Sequence, residues 1–244
     1  MAEQPTPRNV CITQPPEFKG KKIVVGHSDD GKTFIVPRWD AKKQPNRKIL
    51  YYIREDTFPK KDADLVADPV AYAALKLQGA ADEWNKAIFG VVFERTTNPD
   101  SAHFHVVFQT SAGEGQESVA GRAFFPNDSD KNDLIVFKAF FYRIVEKTDF
   151  LQGVFRHELG HILGLRHEFA VAKELTDDGK PTAVRFPDTT DNTDSVMSYK
   201  DWQPVEIQSS DIKGIKAFYA VANGTKLGSW PVVDFEPKIR KLVK

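Results

Sequence analysis

Within eleven residues, His157 to His167, the chain sets three imidazoles and a carboxylate in the order His-Glu-Leu-Gly-His-Ile-Leu-Gly-Leu-Arg-His. On an α-helix, positions i and i+4 stack on one face, so His157 and His161 can offer two ring nitrogens to one ion at about 2.0–2.1 Å. Glu158 lies about 100° further round the helix. It can lean toward a water beside that ion without becoming a ligand, which is the position of a general base. His167 follows His161 by six residues and in a continuous helix would point elsewhere. The helix must therefore stop, and Gly164 can take the left-handed conformation that ends it and turns the chain back. Any fold of this chain must supply a helix, a break at Gly164 and a returning segment that brings in His167.

The shorter His-Glu-x-x-His pattern arises by chance on amphipathic helices, where its histidines are packed or solvated. The eleven-residue form is far more specific. Its surroundings also suit a helix: Thr148 and Asp149 are candidate caps, and Phe150, Leu151, Val154, Phe155, Leu159 and Ile162 recur at helical spacing, predicting a helix over about 149–163.

At these residues the chain resembles the metzincin clan of zinc endopeptidases, whose pattern is the elongated histidine motif followed by a methionine-containing turn. Ser195-Val196-Met197-Ser198-Tyr199 looks like that turn, in which the methionine forms an apolar floor beneath the metal. Met197 is one of only two methionines, the other being Met1, and a floor residue is also a packing residue. Tyr199 matches astacin-like and serralysin-like members, where the tyrosine can act as an additional zinc ligand and swing away to hydrogen-bond the reacting carbonyl; a hydrogen-bonded core tyrosine is the plainer alternative. Glu168 is the astacin-like choice after the third histidine, and Ser210 to Tyr219 is similar to the final helix of matrixins. The chain also departs from each subfamily. Cys11 is the only cysteine, so the disulfides of astacins are impossible; the glycine-rich repeats of serralysins are missing; the matrixin loop for structural zinc and calcium is not visible. The subfamily is left unassigned.

The resemblance implies an α+β fold: a twisted, mostly parallel sheet with an antiparallel edge strand, two long helices including the active-site helix, and a C-terminal helix. It implies one catalytic Zn²⁺ on His157, His161 and His167, with Glu158 as general base and Tyr199 as a further catalytic residue, acting on peptide bonds of protein or peptide substrates. Met197 and Gly164 would be structural. In such a fold the edge strand binds extended peptide as an added strand, and Val119 to Phe125 is the candidate.

Along the chain, residues 1–45 read as an extension or propeptide-like segment, with a hairpin expected from Lys22–Val25 and Thr33–Val36 around Asp29-Asp30-Gly31. Residues 46–220 read as the catalytic domain, its upper part to 164 and its lower part from 165, and 221–244 as a tail. Within the domain, strands are predicted at 48–53, 91–95, 104–108, 120–125 and 134–137. A helix is predicted from the Asp68 cap and Pro69 to Gly90, with Val70, Ala73, Leu77, Ala80, Trp84 and Ile88 on its apolar stripe. Lys+Arg and Asp+Glu both total 34, so no overall field favours nucleic acid or an anionic membrane, and a monomer is expected. No apolar run reaches the roughly 20 residues that span a bilayer, and Met1 to Lys22 lacks the apolar core of a secretory signal. The family resemblance favours secretion, while the low cysteine count suits a reducing cytosol.

Other residues compete for roles. Cys11 could occupy the zinc in a latent form, as could Asp29 or Asp30. Glu168 in mature astacins pairs with a new N-terminus. His103 and His105 share one face of a presumed strand and could bind a second ion, although such histidines are more often solvated or hydrogen-bonded. Two alternatives to the enzyme therefore stand: a non-catalytic zinc-containing binding module, and a zymogen silenced by its N-terminal segment.

Overall fold

The computed structural model describes residues 10–11, 17–18, 21–22, 35–41, 46–60, 62–113, 119–142, 149–170, 183–185, 192–198 and 206–241. The short strands β1 (Val10–Cys11), β2 (Glu17–Phe18) and β3 (Lys21–Lys22) precede β4 (Val36–Trp39) and β5 (Arg47–Ile53). Helix α1 (Pro69–Asn85) leads to β6 (Val91–Arg95), β7 (Phe104–Gln109), β8 (Val119–Arg122) and β9 (Asp133–Phe137). Then come helix α2 (Phe150–Ile162), helix α3 (Ser209–Ala220), β10 (Lys226–Leu227) and β11 (Trp230–Phe235).

The main sheet has the order β1-β8-β9-β7-β5-β6. All its pairs are parallel except β8 with β9, so the expected antiparallel strand is present. Alternation puts Ile49, Tyr51 and Ile53 of β5, Phe104, Val106 and Phe108 of β7, and Leu134 and Val136 of β9 on one face. There they join Leu77, Ala80 and Trp84 of α1 and Leu151, Phe155 and Leu159 of α2 in a single core. Eleven of the thirteen residues of α2 are buried, which makes it a central helix whose polar groups all need protein partners. Glu83 of α1 takes both Arg156 Nε (2.5 Å) and Gln152 Nε2 (2.7 Å), and Trp84 Nε1 donates to the Arg156 carbonyl at 2.9 Å. No helix among the described residues is long and apolar enough to cross a membrane.

Asp68 caps α1 as expected, its side chain accepting from Ala71 N–H at 2.9 Å. The helix stops at Asn85, however, short of the predicted Gly90. Ile88 therefore leaves the apolar stripe: it is 77% exposed and sits at φ +53°. A β-branched residue in the left-handed region is strained by roughly 1–2 kcal/mol. With little burial to lose, Ile88→Asn is expected to raise unfolding stability by about 0.5–1 kcal/mol, seen as a higher denaturant midpoint at unchanged slope.

A second sheet, β10-β11-β4, pairs a segment that precedes α1 with one that follows α3. Val36 to Trp39 pair in parallel with Val232 to Phe235. Residues 23–34 of the expected hairpin lie outside the described residues, and Val36 pairs with β11 instead. Arg38 is buried against Asp234 at 2.6 Å and donates to the carbonyls of Phe218 (2.5 Å) and Val221 (3.0 Å) at the end of α3. Trp39, Val232 and Phe235 belong to the same core as α2, so packing continues across the expected boundaries at 45/46 and 220/221. Beyond β11, Arg240, Lys241 and Lys238 reach Asp133 (2.8 Å), Asp130 (2.7 Å) and Asp128 (3.8 Å) in and before β9.

Candidate active site

The end of α2 accounts for every backbone carbonyl that a helix terminus normally leaves without a partner. Leu163 N–H donates to Leu159 O at 2.9 Å, Gly164 N–H to His161 O at 2.9 Å, and Leu165 N–H to Gly160 O at 3.0 Å. The last two bonds form a Schellman turn. The Ile162 carbonyl accepts from Trp39 Nε1 at 2.6 Å, and the Leu163 carbonyl from the Tyr219 hydroxyl at 3.0 Å. Gly164 sits at φ +99°, and a Cβ there would stand 2.5 Å from the Pro37 carbonyl, so both conformation and space demand glycine. The break expected at this residue is thus present, and β4 and α3 brace it from outside.

That turn brings the three histidines together. His161 Nε2 lies 3.1 Å from His157 Nε2 and 3.1 Å from His167 Nε2. His157 and His161 are buried and His167 half-buried, and among the described residues no fourth His, Cys, Asp or Glu joins the cluster. The far side of two rings is fixed by backbone: His157 Nδ1 is 2.7 Å from the Val196 carbonyl and His161 Nδ1 is 2.8 Å from the Leu165 carbonyl. A carbonyl only accepts, so both Nδ1 atoms carry the hydrogen and, in the neutral rings, both Nε2 atoms present bare lone pairs to each other. Burial first, and then the neighbouring His157 and His167, hold the His161 imidazole well below its ordinary pKa. A cation at their meeting point fits this arrangement. Two nitrogens bound tetrahedrally at about 2.0–2.1 Å stand roughly 3.3–3.4 Å apart.

Around this cluster, Glu158 is buried on α2 and faces Gly121 of β8, where a Cβ would stand 2.8 Å from Glu158 Oε1. A bare backbone at Gly121 is what gives the carboxylate its room, a role the sequence did not announce. Met197 packs under α2 at Gly160, where an added Cβ would collide with the Met197 sulfur. Its carbonyl accepts Glu168 N–H at 3.0 Å, so the turn and the residue after His167 are joined directly. Glu168 Oε1 accepts Asn192 N–H at 2.8 Å, at the start of the same turn. Phe125 presents its ring to His161 at 5.4 Å and carries Arg166 over its face at 5.3 Å; neither contact was legible beforehand. Tyr199, Asp29 and Asp30 lie outside the described residues. Cys11 falls on β1, its backbone in register with Gly121. His103 and His105 are not brought into a metal cluster among the described residues. His103 Nδ1 accepts Leu50 N–H at 2.8 Å, with burial and then Arg47 pushing its pKa down to about 4. His105 is buried edge-on to Tyr52. Both serve the sheet.

A mostly parallel sheet carrying a helix whose two histidines meet a third beyond a glycine turn defines a metzincin-type zinc metallopeptidase, here a metalloendopeptidase. Residues 91–216 match the pregnancy-associated plasma protein-A family of peptidases, just over half of the 244 residues, and the chain belongs to that family. Among solved structures, myroilysin is similar in fold, at 15% identity and a TM-score of 0.51 over 88% of this chain and 92% of that one. High choriolytic enzyme 1, a hatching-enzyme zinc protease from the medaka fish Oryzias latipes, matches at 15% identity and a TM-score of 0.46 over 75% and 94%. Among curated proteins, none matches the chain significantly.

Proposed function

We propose that the chain is a zinc-dependent endopeptidase in which His157, His161 and His167 hold the ion and Glu158 is the general base. The observation that carries this reading is the meeting of three imidazole Nε2 atoms, two of them with Nδ1 committed to carbonyls. Three protein donors, with no fourth among the described residues, are the pattern of a catalytic site; a structural site closes with four. A bound Zn²⁺ supplies Lewis acidity, lowering the pKa of a water to roughly 7 and polarising a carbonyl. Glu158 takes the proton from the attacking water at its carboxylate and delivers it to the leaving amine. Tyr199 donates its hydroxyl to the oxyanion that develops on the scissile carbonyl. Met197 is the apolar floor, and Gly164 delivers His167. Substrates are proteins or peptides laid along β8, and secretion goes with the family resemblance. The folded unit runs from about residue 35 to 241.

Wild-type protein digesting an unfolded substrate such as casein should contain one zinc per chain and lose all activity to a chelator. Activity should return when stoichiometric zinc is restored. Stoichiometric zinc with no cutting under any condition would favour the non-catalytic binding module.

One observation favours a second reading for the chain with its N-terminal segment in place. β1 pairs in parallel with β8, so the backbone of Val10–Cys11 takes the edge where an extended substrate would lie, with Cys11 opposite the Gly121 that faces Glu158. In that reading the N-terminal segment keeps the enzyme latent, and its removal raises activity.

A further inference from the structure

The Nδ1 side of the His157 imidazole is held by the Val196 carbonyl at 2.7 Å, and that peptide is in turn held by a residue outside the metal motif. We propose that Asp211, in the first turn of α3, is a positioning residue for the metal centre: by fixing both peptide planes that flank Val196, it fixes His157. The inference rests on the reading of His157 as a ligand.

The plane between Ser195 and Val196 is tied by its N–H, which donates to Asp211 Oδ2 at 3.0 Å. The plane between Val196 and Met197 carries the carbonyl that accepts from His157 Nδ1 at 2.7 Å. Its N–H donates to Ser195 Oγ at 3.0 Å, and Ser195 Oγ–H donates to Asp211 Oδ1 at 2.6 Å. One carboxylate therefore holds the first plane directly and the second through Ser195 Oγ, so rotation of either plane breaks a bond in this network. The same Oδ2 accepts Gln208 N–H at 2.7 Å, half of a capping box that anchors Asp211 to the start of α3. Ser195, Val196 and Asp211 are 1%, 0% and 9% exposed, so water cannot substitute for a missing acceptor.

Asparagine can keep the geometry. Its oxygen still accepts the Val196 and Gln208 N–H groups, and its amide donates to Ser195 Oγ. Alanine leaves three donors without an acceptor.

The test compares D211A, D211N, S195A and Q208A with wild type, reading apo-protein zinc affinity by competition with a chromogenic chelator, the absorption spectrum of the cobalt-substituted protein, and the apo melting temperature. D211A should bind zinc about 10–100-fold more weakly and shift the cobalt spectrum, D211N should stay close to wild type, and S195A should lose affinity by a smaller factor. Q208A removes the other half of the capping box without touching the Met197 turn, so it should lower the melting temperature and leave zinc affinity unchanged. Should D211A fold poorly, S195A carries the same comparison. Wild-type affinity in D211A or S195A overturns the proposal, as does a loss in Q208A equal to that in D211A, which would tie affinity to helix stability alone. A wild type that takes up no zinc overturns the reading of the site as well.

Discussion

Glu158→Gln should lower kcat/KM by about 10²–10⁴-fold while zinc content and melting temperature stay at wild-type values. The factor corresponds to roughly 3–5 kcal/mol of transition-state stabilisation, the span that a positioned proton acceptor supplies. Glutamine matches glutamate in size, so it keeps the close fit against Gly121, where even a methyl group would stand 2.8 Å from the carboxylate. It cannot accept and return a proton. Zinc uptake should be unaffected, since Glu158 is not among the converging donors. The measurement is peptide hydrolysis under kcat/KM conditions with bound zinc quantified in the same sample. Retention of a tenth or more of wild-type activity would remove Glu158 from the mechanism, and loss of zinc would make it a ligand.

Removing residues 1–45 should abolish the folded state, whereas removing residues 1–34 should leave it intact. The difference is β4. Trp39 is 1% exposed and donates to the Ile162 carbonyl, and loss of a core tryptophan alone costs about 3–5 kcal/mol. Loss of Arg38 leaves Asp234, whose side chain is 7% exposed, without its cation, a cost of about 3–5 kcal/mol. Set against a total stability of about 5–15 kcal/mol, the two effects are enough to unfold the domain. The shorter deletion removes β1 and spares β4. It should give a soluble, cooperatively melting protein, and if the N-terminal segment keeps the full chain latent, this variant should cut casein faster than the full chain. Cooperative melting of the 1–45 deletion near the wild-type temperature would show that β4 is dispensable.

What the sequence made legible is local in origin. The pitch of a helix places His157 beside His161, a glycine three residues before the end of the pattern signals a turn, and Asp68-Pro69 reads as a helix start; each is decided within about one or two turns of chain. The strands predicted at 48–53, 91–95, 104–108 and 134–137 follow from alternation and appear as Arg47–Ile53, Val91–Arg95, Phe104–Gln109 and Asp133–Phe137, while the one predicted at 120–125 appears as the shorter Val119–Arg122. The pairing of Val36 with Val232 was invisible because nothing in either stretch encodes a partner some two hundred residues away. Residues 1–45 looked like an appendage for the same reason. Ile88 shows the opposite failure, a helical repeat that continues in the sequence after the backbone has stopped obeying it. Gly121 and Asp211 were missed as parts of the site because their roles exist only relative to Glu158 and Val196, on other elements. For Asp211 a partial signal was present: Gln208-x-x-Asp211 is a helix-start pattern, though it points to a cap and not to His157.

The parallel pairing of β4 with β11 fixes an order of events during synthesis. Val232 to Phe235 leave the ribosome long after the histidines do, so the nascent chain displays His157, His161 and His167 before the strand that completes the support of Trp39 and Arg38 exists. The scaffold around the three histidines is therefore complete only once β11 has been made, and a chain cut short before it has the ligands of a peptidase without the strand that braces β4.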